Sequence, residues 1–189
     1  ALKGPQLLMP MAGHGSRLSE TFAVAKPLLP IGEKPMYRRA REAFPPSPTV
    51  YVCLSSVAEQ MQTALGENIL RLEETPPGQA ISTELGLARL DPAQSCLVTS
   101  CDHSLVINPQ AWTDFLTAPD CDAALFTIKN FPGTRRRPEA FSYVSSSGEG
   151  PFPLVKRVSV KKPLSEKPDA DELLVGSFFL GQGLGHHLS

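Results

Sequence analysis

The sequence predicts an α/β protein: a mostly parallel sheet with helices on both faces and an antiparallel extension toward the C-terminus. Three observations carry this. Strand-like and helix-like segments alternate from about residue 6 to residue 129, the signature of repeated βαβ units. After Lys129 the alternation stops, and three strand-like runs separated by turns follow. The length, 189 residues with 41% hydrophobic and 20% charged, suits one domain with a sizeable core.

The elements follow in order. Residues 6–12, QLLMPMA, read as a buried strand. Residues 34–44, KPMYRRAREAF, read as a helix with Met36, Ala40, Ala43 and Phe44 on one stripe. Thr49–Ser55 is a second strand, and Val57–Glu67 a second helix ending near Gly66. Ile69–Glu74 is a short strand, and Gly78–Leu90 a third helix. Ser95–Asp102 is an apolar strand ending in a carboxylate. Asn-Pro starts a helix over Asn108–Ala118, and Asp122–Lys129 is another strand. AFSYVSS, LVKRVSVKK and ELLVGSFFLG make the antiparallel extension. Of the nineteen prolines, seven cluster at FPPSP, TPPG and GPFP, between periodic segments, and these clusters read as turns inside one domain.

Bulk properties exclude several classes. A net charge of -1 calls for neither nucleic acid nor a membrane surface. No apolar run approaches the roughly 20 residues of a spanning helix, and the first residues, ALKGPQLLMPMAG, lack a signal-peptide pattern. Cys53, Cys96, Cys101 and Cys121 form no C-x-x-C pair; they read as buried, reduced thiols of a cytoplasmic protein rather than zinc ligands. The run Arg135–Arg137 is too short for a nucleic-acid tail and reads as a solvated loop.

Open α/β sheets bind ligands beyond the carboxyl ends of their strands. The loop after the first strand, the TPPGQA turn and Asp102 are therefore expected on one rim. In AGHGSR, Gly13 and Gly15 let the backbone turn tightly and present N–H groups to an anion. Arg17 offers a fork to phosphate oxygens. Lys26, stiffened by the prolines of KPLLPIGEKP, supplies a second positive charge. The spacing is neither a Walker loop nor G-x-G-x-x-G, because Leu18 stands at the third glycine position. Alone, this segment also reads as a structural turn. Asp102 suits Mg²⁺, which takes one or two carboxylate oxygens and leaves the rest to water and phosphate; an Asx-turn or helix cap is the alternative. His103 reads as a packing or supporting residue. Ser16 has no evident base and no G-x-S-x-G is present, so the chemistry would be positioning and charge neutralisation.

LLMPMAGHGSRL followed by AKPLLPIGEKPM resembles the opening of the sugar-phosphate nucleotidylyltransferases, a strand, G-x-G-[TS]-R-L, then K-P-L-x-P-[IV]-x-x-K-P-[ML]. ETPPGQA resembles that family's turn facing the base, LVTSCDH its strand with the metal-binding aspartate, and VSVKKP with LLVGSFFLG its sugar-side pair. The matches run in family order over nearly the whole chain. They are most similar to the branch with CDH and VGSFF, associated with capsule or surface polysaccharide synthesis.

The resemblance implies a Rossmann-like nucleotide-diphospho-sugar transferase fold and an enzyme that joins an NTP and a sugar 1-phosphate, releasing pyrophosphate by in-line displacement with Mg²⁺. It implies that Met11, Ala12, Gly13, Gly15, Ser16 and Arg17 wrap base and phosphates, and that Gly78 and Gln79 read the base. Arg17 and Lys26 would steady the phosphates, and Asp102 would hold Mg²⁺. Lys162 would hold the sugar phosphate, with Lys161 standing where the family has glutamate and the register between the two left open. Gly176 and the Ser142–Tyr143 backbone would line the sugar pocket. On this reading residues 1–189 form one nucleotidyltransferase domain, with a nucleotide-binding part over 1–130 and a sugar-side part over 131–189. It is truncated at its C-terminus, with a second metal-binding acid expected beyond Ser189. A non-catalytic nucleotide-binding regulatory domain, or a transferase acting on a non-sugar alcohol phosphate, are the alternatives. Base, sugar and oligomeric state are left open.

Overall fold

The computed structural model describes residues 4–13, 15, 21–118 and 121–183. The chain divides into two compact units, residues 1–124 with 178–189 and residues 125–177. The fold is a mostly parallel mixed sheet with helices, as the sequence predicts.

In the first unit, β1 (Gln6–Pro10), β4 (Thr49–Leu54), β5 (Glu67–Leu72) and β6 (Cys96–Val98) pair in parallel, in the order β5-β4-β1-β6. The C-terminal end of β10 (Glu172–Leu180) adds antiparallel to β6, with Phe178 opposite Val98. β1 is buried along its whole length and β4 along all but its last residue, which suits strands covered on both faces. Alternation sends their side chains to opposite sides. Leu8, Val50, Val52, Cys96 and Val98 form one buried cluster, against which Leu87 of α3 (Gln79–Leu87) packs. Tyr51, next to Val52 in β4, instead meets Tyr37 of α1 (Met36–Glu42) edge-to-face at 5.5 Å. The helices thus flank both faces.

Between the glycine-rich loop and α1, the proline-rich segment forms a short 3-10 turn at Lys26–Leu28 and a two-residue hairpin, β2 (Pro30–Ile31) with β3 (Lys34–Pro35). α1 buries Tyr37, Ala40 and Arg41. The Arg41 guanidinium donates to the carbonyls of Phe44, Pro45 and Ser47 at 3.1–3.2 Å, satisfying the chain where the helix ends.

The helix expected over Val57–Glu67 is a correction. Only one turn forms, α2 (Ser55–Ala58), and Glu67 opens β5. Tertiary contacts outweigh local propensity here. Glu67 accepts from Arg38 at 3.0 and 3.1 Å and from the Ala64 N–H at 2.8 Å. Leu65, which a helix would have had to bury, is fully exposed. Gly66, at φ +82°, turns the chain into the strand. β6 also stops short of the span expected for it: the sheet ends at Val98, and Asp102 stands in a turn beyond it. α4 (Pro109–Thr117) begins as expected, with Asn108 Oδ1 accepting from the Ala111 N–H at 3.0 Å.

In the second unit, β8 (Ser142–Ser147) and β9 (Leu154–Val160) pair antiparallel with a bulge at Ser145/Ser146. The N-terminal end of β10 pairs antiparallel with β8, Glu172 opposite Val144. β7 (Ala123–Ile128) runs from the first unit into the second and pairs with β10.

Candidate active site

A cleft of about 980 Å³ opens in the first unit beyond the carboxyl ends of β1 and β6. Four stretches line it: Pro10–Gly13 with Gly15, Lys26–Pro27 with Met36, Thr75–Gln79 with Ser82, and Ser100–Asp102. The three features expected on one rim therefore share one wall-to-wall space. His14, Ser16 and Arg17 lie outside the described residues.

The Met11 N–H donates to the Val52 carbonyl at 2.8 Å, so the sheet holds the chain until it enters the loop. Met11 and Ala12 are buried, and Gly13 is exposed. Gly15 takes φ +61°, and a Cβ there would sit 3.0 Å from the Lys26 Cβ. The glycine thus seats the lysine stem as well as turning the loop. Opposite, Gly86 lets α3 approach the sheet: a Cβ would stand 2.3 Å from Leu8 Cδ1 and 2.9 Å from Val52 Cγ2. That approach sets where Gly78, Gln79 and Ser82 meet the cleft.

Lys26 and Asp102 meet there. Lys26 Nζ donates to Asp102 Oδ2, and the Ser100 hydroxyl donates to Oδ1. His103 Nδ1 lies 3.0 Å from Oδ1. His103, Lys26 and Ser100 together hold the Asp102 carboxyl well below the usual carboxylate range, against partial burial that acts the other way. Asp102 is thus an anion throughout the physiological range, beside a cation, on the wall of an open cleft. Ser100 is a site residue that sequence reasoning missed; its only signal is its place two residues before a strand-end aspartate. Met36, Thr75 and Ser82 were missed likewise, and Cys101, read as a plain core thiol, is both buried and on the cleft wall.

The donor set decides which metal would suit. Among the described residues, no three His, Cys, Asp or Glu side chains group as a metal cage. One ionised carboxylate with a neighbouring hydroxyl, facing a large open space, fits Mg²⁺ that keeps its waters and takes phosphate oxygens from a substrate.

The sugar-side residues lie in the second unit, gathered at one end of the β8–β9 pair. Ser142 and Tyr143 open β8, and Ser142 pairs with Val160. The Tyr143 side chain is buried, its hydroxyl donating to the Pro138 carbonyl at 2.7 Å. Lys161 takes φ +57°, and its N–H donates to the Phe141 carbonyl at 3.0 Å. Lys162 is exposed, and its carbonyl accepts from Ser159 Oγ at 2.7 Å. Gly176 lies half-buried in β10.

Comparisons with known proteins bear on the family and the fold. The family described as MobA-like NTP transferase domain matches residues 9–165. None of the curated proteins compared matches the chain. Among solved structures, the inositol-1-phosphate CTP transferase from T. maritima superposes with a TM-score of 0.74 at 15% identity, covering 98% of this chain and 74% of that one. The nucleoside-diphosphate-sugar pyrophosphorylase from Vibrio cholerae RC9 superposes with a TM-score of 0.67 at 19% identity, covering 93% and 73%.

Proposed function

Because the chain belongs to the MobA-like NTP transferase domain family, and is thereby a nucleotidyltransferase, we propose that it joins an NTP to a sugar 1-phosphate and releases pyrophosphate. The observation that carries this reading is the convergence of Lys26 and Asp102 on one cleft wall, facing the glycine-rich loop and the start of α3. A triphosphate laid in that cleft meets backbone N–H groups at Gly13 and Gly15 and the Lys26 ammonium; the family resemblance adds the Arg17 guanidinium. Gly78 and Gln79, at the start of α3, face the base. Bound at Asp102, Mg²⁺ would supply charge neutralisation on the phosphates.

The proposed reaction is in-line. A phosphate oxygen of the sugar phosphate attacks the α-phosphorus, the α–β bridging bond breaks, and the electron pair leaves on pyrophosphate. Lys26 and Arg17 stabilise the charge gathering on the leaving group. No covalent enzyme intermediate is required. Lys162 holds the attacking phosphate, with Lys161 the alternative. The second unit carries nine Lys and Arg against six Asp and Glu, a balance that favours an anionic substrate. The family resemblance supports one domain with a nucleotide-binding part over 1–130 and a sugar-side part over 131–189. It also supports a cytoplasmic reaction feeding surface polysaccharide synthesis.

The second reading, a non-sugar alcohol phosphate as acceptor, is favoured by the superposition on an inositol-1-phosphate CTP transferase. Pyrophosphate release tests both. The protein is incubated with Mg²⁺, each common NTP, and a panel of sugar 1-phosphates with inositol 1-phosphate. Release that requires one NTP and one sugar 1-phosphate is expected. Release with inositol 1-phosphate alone selects the second reading, and nucleotide binding without release selects a regulatory domain.

A further inference from the structure

The proposed reaction asks two things of Lys26 and Asp102 that are incompatible with their present contact. Lys26 is to hold phosphates and Asp102 a divalent cation, yet in the structure the ammonium sits on Asp102 Oδ2. The second oxygen is engaged too: Ser100 donates to Oδ1, and the His103 ring lies beside it. Each carboxylate oxygen thus has at least one of these described groups beside it. Both partners are about one-third exposed, with side-chain exposures of 30% for Lys26 and 31% for Asp102, so a ligand in the cleft reaches them. The lysine stem is also held. Pro27 follows it in a 3-10 turn, and Gly15 packs against its Cβ. Only the outer methylenes and the ammonium are left to swing.

We infer that Lys26 is a latch on Asp102: it keeps divalent cations off the carboxylate until a triphosphate draws the ammonium away. The inference rests on the reading of Asp102 as the metal ligand. A cation approaching Oδ2 in the nucleotide-free protein must displace the ammonium and then stand beside it, and both effects weaken its binding. Once phosphates take the ammonium, the same oxygen is released. Metal and nucleotide binding are then positively coupled through one side chain, and the coupling is reciprocal. The consequence is unusual for a site residue: neutralising Lys26 tightens metal binding to the free protein while weakening nucleotide binding.

The test uses Mn²⁺ as the probe, titrated into the nucleotide-free full chain at one pH and followed by electron paramagnetic resonance. Wild type is compared with Lys26→Met, Lys26→Arg, Asp102→Asn and the double variant Lys26→Met/Asp102→Asn. Methionine keeps the stem that Gly15 contacts, so folding is preserved, and a thermal melt checks this. Lys26→Met is expected to bind Mn²⁺ roughly tenfold more tightly than wild type. Lys26→Arg, which keeps the charge, should show no gain, and the double variant should lose it. Equal Mn²⁺ affinity in wild type and Lys26→Met overturns the latch. A gain that survives Asp102→Asn overturns it as well, since the cation then sits elsewhere. The reading of Asp102 as ligand is judged separately, by Mg²⁺-dependent pyrophosphate release in the single Asp102→Asn variant, so the two failures are distinguishable.

Discussion

Asp102 and Gly15 show how single positions carry the proposed chemistry by different physics. Asp102 acts through charge. His103, Lys26 and Ser100 keep it ionised, and replacing it by asparagine keeps its shape while removing the anion. Asp102→Asn is expected to lower Mg²⁺-dependent turnover by ~10²-fold or more, given what a metal supplies to charge development; steady-state pyrophosphate release at saturating Mg²⁺ measures it. Gly15 acts through space. At φ +61° an alanine costs about 1 kcal/mol in backbone strain, and its Cβ would also press on Lys26 at 3.0 Å. Gly15→Ala should therefore lower stability by about that amount and weaken triphosphate binding more than monophosphate binding. Calorimetric titration with both ligands checks this; equal losses would mean that the glycine serves the turn alone. These two roles differ in legibility. A glycine before an arginine and a strand-end aspartate are visible as residue types. The hydroxyl of Ser100 on Asp102 is a product of the turn that follows β6, and nothing in the residue pattern announces it.

At the scale of elements, α3 positions the cleft wall, and its spacing from the sheet depends on Gly86. A methyl there would overlap Leu8 Cδ1 at 2.3 Å and Val52 Cγ2 at 2.9 Å. Both residues are fully buried, so neither has room to yield. Overpacking costs ~1–3 kcal/mol, while removing a helical glycine returns up to ~1 kcal/mol. The clash wins, and Gly86→Ala should destabilise by about 1–2 kcal/mol and raise the Michaelis constant for nucleotide as Gly78 and Gln79 shift; urea unfolding and kinetics read the two effects. In the second unit, the turn after β9 sets Lys161 and Lys162. Lys162→Ala is expected to raise the Michaelis constant for the sugar phosphate about tenfold or more and to spare nucleotide binding. If Lys161→Ala does this instead, the phosphate contact is one residue earlier. The strands were legible because β1 and β4 are buried on both faces and appear as unbroken apolar runs. The helix expected over Val57–Glu67 failed because its pattern was local, whereas Glu67 is fixed by Arg38, 29 residues earlier. No window of the sequence contains that contact.

Across the whole molecule, the four cysteines are free, and burial raises all four thiols, that of Cys121 included although it is half-exposed rather than buried as expected. Burial pushes the Cys53 and Cys101 thiols up to about 11 and Cys96 to about 12, from an ordinary value of 9.0. Well below pH 9 both native and unfolded chains hold these protons, and the thiols add no pH dependence. Between pH 9 and 11 the unfolded chain releases them while the native state keeps them. The native state then binds more protons, so stability falls as pH rises, by at most about 1.4 kcal/mol per thiol per pH unit. Urea midpoints for wild type should drop between pH 8.5 and pH 10.5, and Cys96→Ala should flatten that slope by removing one contribution. The slope, rather than the midpoint, is the readout, because the substitution also leaves a small cavity. Alkylation gives an independent check. At pH 8 the buried thiols remain protonated and shielded, so native protein should react at half-exposed Cys121, with Cys53, Cys96 and Cys101 labelled only in denaturant. Rapid labelling of Cys96 in native protein would mean that the β1–β6 centre of the sheet opens far more readily than its complete burial implies.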